Sequence, residues 1–324
     1  METVLQGYEV SPATWFYLSL LLIVAVFFRF KRLWSVRNLD LVLLLLLSPG
    51  LLLIKAEGNE VSSQADSEIA TAAEAAAAEM DAGDEANSIT AERAEQIRNW
   101  GYVWLFAVTG LLLMRLFFDV AFTRRPRFEE NLNPAGTAFL CVCAFGFLMT
   151  KAVTETPPQS SVAAVSYADD MIQRKASNGE AATESEPDAG RTSAILATPI
   201  VPLSKAIQSR DPSFRYEWVA VCLMAILSHL SVVLGLIRLG AKHFQDIRIG
   251  LSMATLYLLL PCTAYGVANV GEVLPAAFIV WAIVEYRRPV LAGALMGLAC
   301  GTMYFPVFLL PIWAAFYGRK DGLR

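Results

Sequence analysis

Six apolar blocks, each close to the length of a bilayer crossing, constrain this chain more than any other feature. They are TWFYLSLLLIVAVFF (14–28), LVLLLLLSPGLLLI (41–54), YVWLFAVTGLLLMRLFF (102–118), AFLCVCAFGFLM (138–149), WVAVCLMAILSHLSVVLGLI (218–237) and IGLSMATLYLLLPCTAYGV (249–267). About 20 apolar residues span the hydrocarbon core, and shorter runs suffice when flanking residues snorkel. The blocks account for a hydrophobic share of 56%, above the ~45–50% usual for a soluble domain. The expected fold is all-α, a polytopic helical membrane protein with the lipid bilayer as its first partner and about nine transmembrane segments. At the N-terminus Glu2 and Glu9 occupy the place of a signal peptide's basic region, and Ser11-Pro12 reads as the N-cap and first residue of the first membrane helix.

Charge sets the expected topology. Basic residues follow the first block (Arg29, Lys31, Arg32, Arg37), the third (Arg115, Arg124, Arg125, Arg127) and the fifth (Arg238, Lys242, Arg248), and recur at Arg287-Arg288 and at Arg319, Lys320 and Arg324. Short basic loops stay in the cytoplasm, so the N-terminus is expected outside and the C-terminus inside a cell membrane. The chain then divides into the first two membrane helices (1–54), an acidic Ala-rich outer segment (55–98), the third and fourth membrane helices (99–151), an outer loop (152–215) and a C-terminal helix bundle (216–324).

The two outer segments differ in character. Residues 55–98 carry Lys55, Arg93 and Arg98 against eleven carboxylates, with the helix-favouring tract TAAEAAAAEMDAG. A solvated acidic helix explains them, and a docking arm for a cationic protein partner is the sharper reading; no calcium-loop spacing accompanies it. Residues 152–215 contain TETPPQSS, ESEPDAG and TPIVPLS, a composition expected to stay disordered or to drape over the outer face.

Chemistry would have to come from membrane helices and their ends. The five cysteines all lie in apolar segments and the chain has two histidines, so neither disulfide, metal site nor cofactor is expected; no nucleic-acid partner is expected either. Arg115, Asp119 and Lys151 stand near helix ends, where snorkelling accommodates them. His229 lies near mid-helix with Ser228 and Ser231 as expected hydrogen-bond partners, for an interhelix bond or a proton-transfer role. His243 and Asp246, three apart, are expected on one helix face. In TAYGVANVGEVLP (263–275), Tyr265 and Asn269 are candidates for binding a head group or sugar; Glu272 suits the start of a seventh helix, where the macrodipole favours a carboxylate.

From Val290 to Tyr317 the chain stays apolar, about 42 Å as a straight helix. That is long for one crossing and short for two. Pro306 and Pro311 each remove a backbone donor, so two short segments broken near 304–306 are expected. Gly293, Gly297 and Gly301 repeat at four-residue spacing, which would let another helix approach closely.

The stretch RRPVLAGALMGLACGTMYFPVFLLPIWAAFYGRK (287–320) resembles bacterial glycosyltransferase-C membrane proteins, the polyprenyl-phosphate-sugar-dependent mannosyl and arabinosyl transferases. The resemblance covers about residues 255–320. It implies transfer of a sugar from a lipid-linked donor, with a carboxylate as general base and cationic or amide groups stabilising the leaving phosphate. Glu57 and Glu272 are then the catalytic candidates, and Tyr265, Asn269 and Tyr304 the substrate-binding ones. Two departures stand out. Thr302-Met303 occupies the place of the family's lysine before the aromatic-Pro pair, and the loop after the first helix, FRFKRLWSVRN, is basic where the family carries its catalytic acid. A non-catalytic envelope scaffold or assembly component is the leading expectation. The transferase is its alternative and a transporter a third reading.

Overall fold

The computed structural model describes residues 12–54, 83–121, 131–173, 191–210 and 215–321, and every regular element among them is helical. Four helices are long and apolar enough to cross a membrane: Val36–Ile54, Glu95–Phe117, Pro134–Thr154 and Tyr216–Phe244. Five further apolar helices, Thr14–Phe27, Ile247–Leu259, Val270–Val284, Pro289–Thr302 and Phe305–Arg319, have 10–17 residues. These fall short of the roughly 20 residues an upright crossing needs.

The chain forms two compact units, one gathering Leu132–Leu259 and Gly266–Arg324, the other Ser11–Asn131 and Leu260–Tyr265. The second unit contains α1 (Pro12–Phe27), α2 (Val36–Ile54), α3 (Gly83–Phe117) and the short α10 (Pro261–Tyr265). Its basic turn between α1 and α2 is organised by two buried side chains. Arg37 Nε donates to the orphan carbonyl of Phe27 at 2.9 Å, and Asn38 Nδ2 donates to Arg29, Arg32 and Leu33 carbonyls at 3.1 Å each. Helix-end carbonyls that lack an intrahelical partner are thereby satisfied. Arg115 on α3 pairs with Asp40 at 2.7 Å and Asp119 at 3.2 Å, so an ion triad replaces the simple snorkelling expected of it.

The first unit is built on α8 (Tyr216–Leu239), which packs on α11 (Val270–Val284), α9 (Ile247–Leu259) and α4 (Pro134–Thr154). Asn133 caps α4 through Gly136 N at 2.7 Å, with Pro134 in the first turn. After α8 the chain makes one π-helical turn, Gly240–Phe244, and reverses at Gln245, whose φ of 55° is left-handed. The reversal requires small residues where it crosses itself. A Cβ on Gly250 would lie 2.6 Å from Ile237 O, and one on Gly240 would collide with the Gly250 backbone.

Where segment 152–215 is described, at 152–173, 191–210 and 215, it departs from the expected disorder. Within it stand α5 (Gln159–Ile172), α6 (Arg191–Ala197) and α7 (Val201–Gln208). The buried face of α5 is Ser161, Ala164, Val165, Ala168 and Asp169, a helical stripe of small residues. Of these, Val165 and Ala168 pack with Ala194, Ala197, Val201, Ala220, Val221, Met224, Ala225 and Val270 as one core. Alanine gives up almost no side-chain entropy on burial, so a helix too poor in bulky residues to look like core can still pack at short range. Two of the prolines that suggested disorder sit at helix starts, Pro158 as the N-cap of α5 and Pro202 in the first turn of α7.

The tail breaks as its prolines require. α12 (Pro289–Thr302) ends at Met303, which is extended at φ −151° and ψ 151°; a 3₁₀ turn, Phe305–Leu309, leads into α13 (Leu310–Asp321).

Candidate functional site

Polar side chains meet at three depths along α8, a helix about 36 Å long at 1.5 Å per residue. At its first turn Asp169 of α5 is buried, and its carboxylate takes the Lys205 ammonium on one oxygen. The other oxygen accepts from Gln173 Nε2 at 2.9 Å and from the Tyr216 hydroxyl at 3.2 Å. Burial pushes the Asp169 carboxyl up, but the Lys205 and Gln173 hydrogen bonds outweigh it and hold the group below the usual carboxylate range. The carboxylate, held by three donors, therefore joins α5, α7 and α8.

Halfway along, His229 is fully buried. Its Nε2 lies 3.2 Å from Val267 O and its Nδ1 lies 2.8 Å from the Tyr257 hydroxyl. A carbonyl can only accept, so Nε2 carries a proton, while Nδ1 shares a hydrogen bond with the tyrosine hydroxyl. The partners expected from sequence are corrected: Ser231 faces α11, where its Oγ and carbonyl O accept from Trp281 Nε1 at 3.0 and 3.1 Å. Both histidine nitrogens are thus engaged within the chain.

At the far end the turn after α8 meets the turn after α11. Lys242 Nζ lies 2.8 Å from Glu285 Oε1, and Arg288 lies 3.8 Å from Oε2. The Lys242 hydrogen bond first, and then the charges of Lys242, Arg288 and Arg238, hold the Glu285 carboxyl below its ordinary range despite burial. His243 does not share a helix face with Asp246, because the left-handed Gln245 separates them. Instead His243 Nε2 donates to Val284 O at 3.1 Å and its ring lies 4.8 Å from that of Tyr286, while Asp246 Oδ1 accepts from Arg248 N at 2.9 Å.

The sequence candidates are dispersed. Glu57 lies outside the described residues. Tyr265 closes α10 in one unit, whereas Asn269 and Glu272 open α11 in the other. Asn269 Nδ2 donates to Glu272 Oε1 at 3.0 Å, and its carbonyl receives Glu272 N at 3.2 Å and Val273 N at 3.3 Å. This is a helix start, and Glu272 projects into the exposed first turn where the dipole favours it. Tyr304 is exposed and packs edge-on against Phe308, ring centroids 5.7 Å apart.

Among the described residues the three glycines of the stripe have unequal surroundings. Nothing stands within 4 Å of a Cβ added to Gly293 or Gly297, and α12 buries Ala292, Met296 and Ala299 instead. Gly301 alone of the three is crowded, by Thr192 of α6. Among the described residues no three of His, Cys, Asp and Glu converge where a metal could be held.

The Asp169 cluster escaped sequence reading because its members are separated by up to 47 positions in segments of unremarkable composition. Its one local signal was the placement of Asp169 on the small-residue stripe of α5. No protein-family model, curated protein or solved structure matches the chain.

Proposed function

We propose that this chain is a non-catalytic membrane scaffold or assembly component of the cell envelope. One observation carries the reading. The ionisable side chains buried among the described residues, Arg37, Asp169, His229 and Glu285, are each engaged within the chain, by Phe27 O, by Lys205, by Tyr257 with Val267 O, and by Lys242. Catalytic and transport sites usually leave such a group open to a substrate or an exchanging proton, whereas structural ion-pair networks shift it as well. Here these groups instead join one helix to another or secure a helix end.

In this reading the five shorter apolar helices cross with the four longer ones as about nine spans, helped by flanking snorkelling residues. The positive-inside rule then supports an outer N-terminus and an inner C-terminus. The acidic segment 55–98 lies outside and is offered to a cationic protein partner. The glycosyltransferase-C alternative rests on the Arg-Arg-Pro turn, the small-residue helix and the aromatic-Pro pair, with Glu272 or Glu57 as base.

Titration of the purified full-length chain with a fluorescent polyprenyl-phosphate sugar separates the two. The scaffold reading expects no saturable binding. Saturable binding overturns it, and loss of that binding in Glu272→Gln or Glu57→Gln would assign the transferase and its acceptor base.

A further inference from the structure

Three segments converge at the end of the first unit that lies away from the Asp169 cluster. The turn after α8 joins the turn after α11 through Lys242–Glu285 and through His243 to Val284 O. The end of α13 reaches the same place, where the Tyr317 hydroxyl donates to Tyr286 O at 2.6 Å and Phe316 packs edge-on against the Tyr286 ring at 6.0 Å. Arg238, Arg248, Arg287, Arg288 and Arg319 all lie on these segments with exposed side chains.

Few of the described acidic side chains stand against them. The acidic residues on the two turns are Asp246 and Glu285. Glu285 is held by Lys242 at 2.8 Å and meets Arg288 only at 3.8 Å, while Asp246 accepts from a backbone N–H. Arg287 leans on a phenol, its Nε 3.4 Å from the Tyr286 hydroxyl. The arginines are also interleaved with exposed apolar side chains, Phe244 (56%), Ile247 (61%) and Val290 (85%). An acidic soluble protein would complement the charge but leave those apolar groups without purpose. A lipid surface complements both, since arginine heads sit at the phosphates while apolar neighbours enter the acyl boundary.

We infer that this rim is a binding surface for anionic phospholipid head groups, formed where the α8–α9 turn, the α11–α12 turn and the end of α13 meet. The inference rests on the membrane reading but on neither the scaffold role nor the orientation. Guanidinium forks match phosphate oxygens geometrically, and the Lys242–Glu285 pair fixes the two turns that carry them.

The test uses the full-length protein in a neutral detergent, titrated with short-chain phosphatidylglycerol and with phosphatidylcholine carrying the same fluorescent tail, read by anisotropy. Phosphatidylglycerol is expected to bind far more tightly. The triple variant Arg238→Gln/Arg287→Gln/Arg288→Gln should lower that preference on the order of a hundredfold, about a fivefold factor for each charge near an anionic surface. Arg210→Gln/Arg215→Gln, at the opposite end of α8, should leave it intact, and the corresponding triple lysine variant should keep most of it. An unchanged melting temperature in the glutamine variant separates lost binding from lost folding. Equal affinity for both lipids, an unaltered preference in the triple variant, or displacement of the lipid by inorganic phosphate or an acidic peptide at comparable concentration would each overturn the assignment. Resistance of the protein to alkaline extraction from membranes is scored in parallel, so failure of the lipid site is distinguishable from failure of the membrane reading.

Discussion

The cap helices α5–α7 and the tail α12–α13 invert what their compositions suggest. The segment that carries the cap, 152–215, is rich in Ser, Thr, Pro and Glu, yet within it Ala164, Val165, Ala168, Ala194, Ala197 and Val201 are almost completely buried. The tail is nearly all apolar, yet Val290, Tyr304, Phe308 and Ile312 stand exposed. Composition reports which solvent a segment can tolerate. Packing depends instead on which small residues recur on one helical face and on whether another segment is there to meet them.

The largest test of that contrast lies at the cap's ion cluster. Asp169→Ala would leave the Lys205 ammonium and the Tyr216 hydroxyl without their acceptor, at a cost of about 2–3 kcal/mol. The value stays at the lower end of what buried pairs show because Lys205 is 37% exposed and water can take over part of its hydration. Thermal melting in detergent and hydrogen exchange over 159–208 measure it, with protection lost from α5–α7 first. An unchanged exchange pattern would show that alanine packing alone holds the cap.

Acid should reach the same cluster without mutation. The Asp169 carboxyl titrates below its ordinary range in the folded protein, so the unfolded chain takes up the proton first as pH falls. The cluster's contribution is complete above the ordinary aspartate value of about 3.9 and is lost as pH drops below it through the folded value. Exchange protection of α5–α7 is therefore expected to fall in acid in the native protein. In Asp169→Asn that pH dependence should disappear; if it persists, another group governs the cap.

These two experiments also mark where sequence reasoning reached its limit. The helical class was legible because membrane helices announce themselves over consecutive residues. The break at Met303 was legible too, since Pro306 acts on its immediate neighbours. So was the start of α11, where Asn269 and Glu272 are three apart. The contacts of Asp169 with Lys205 and Tyr216, the His229–Tyr257–Val267 arrangement and the Arg115–Asp40 pair join residues 28 to 75 positions apart, and no local spacing encodes them. The cap is illegible for a different reason: half of its core is alanine, which leaves no bulky periodic stripe in the sequence.

Volume tests that last point directly. Ala168 is fully buried between α5 and its neighbours, so Ala168→Leu should cost about 1–3 kcal/mol through overpacking. In a disordered loop the same change would be silent or mildly stabilising. A melting temperature equal to that of the native protein would overturn the packed cap.

The smallest effect belongs to the tail and separates its glycines from one another. Gly301→Ala pushes a methyl into Thr192 and should cost on the order of 1 kcal/mol, a loss removed in the Thr192→Ala background because the two groups share one space. Gly297→Ala meets nothing within 4 Å and replaces a conformationally free residue in mid-helix, so it should stabilise the protein by about 0.5–1 kcal/mol. A melting curve of each variant decides between two physical roles for the same spacing. If Gly297→Ala proves as costly as Gly301→Ala, the outer face of α12 meets a second helix in the membrane, and the contrast between a packed cap and an open tail fails at that face. If it stabilises, close approach in this chain depends on what lies opposite a glycine rather than on the interval at which glycines recur.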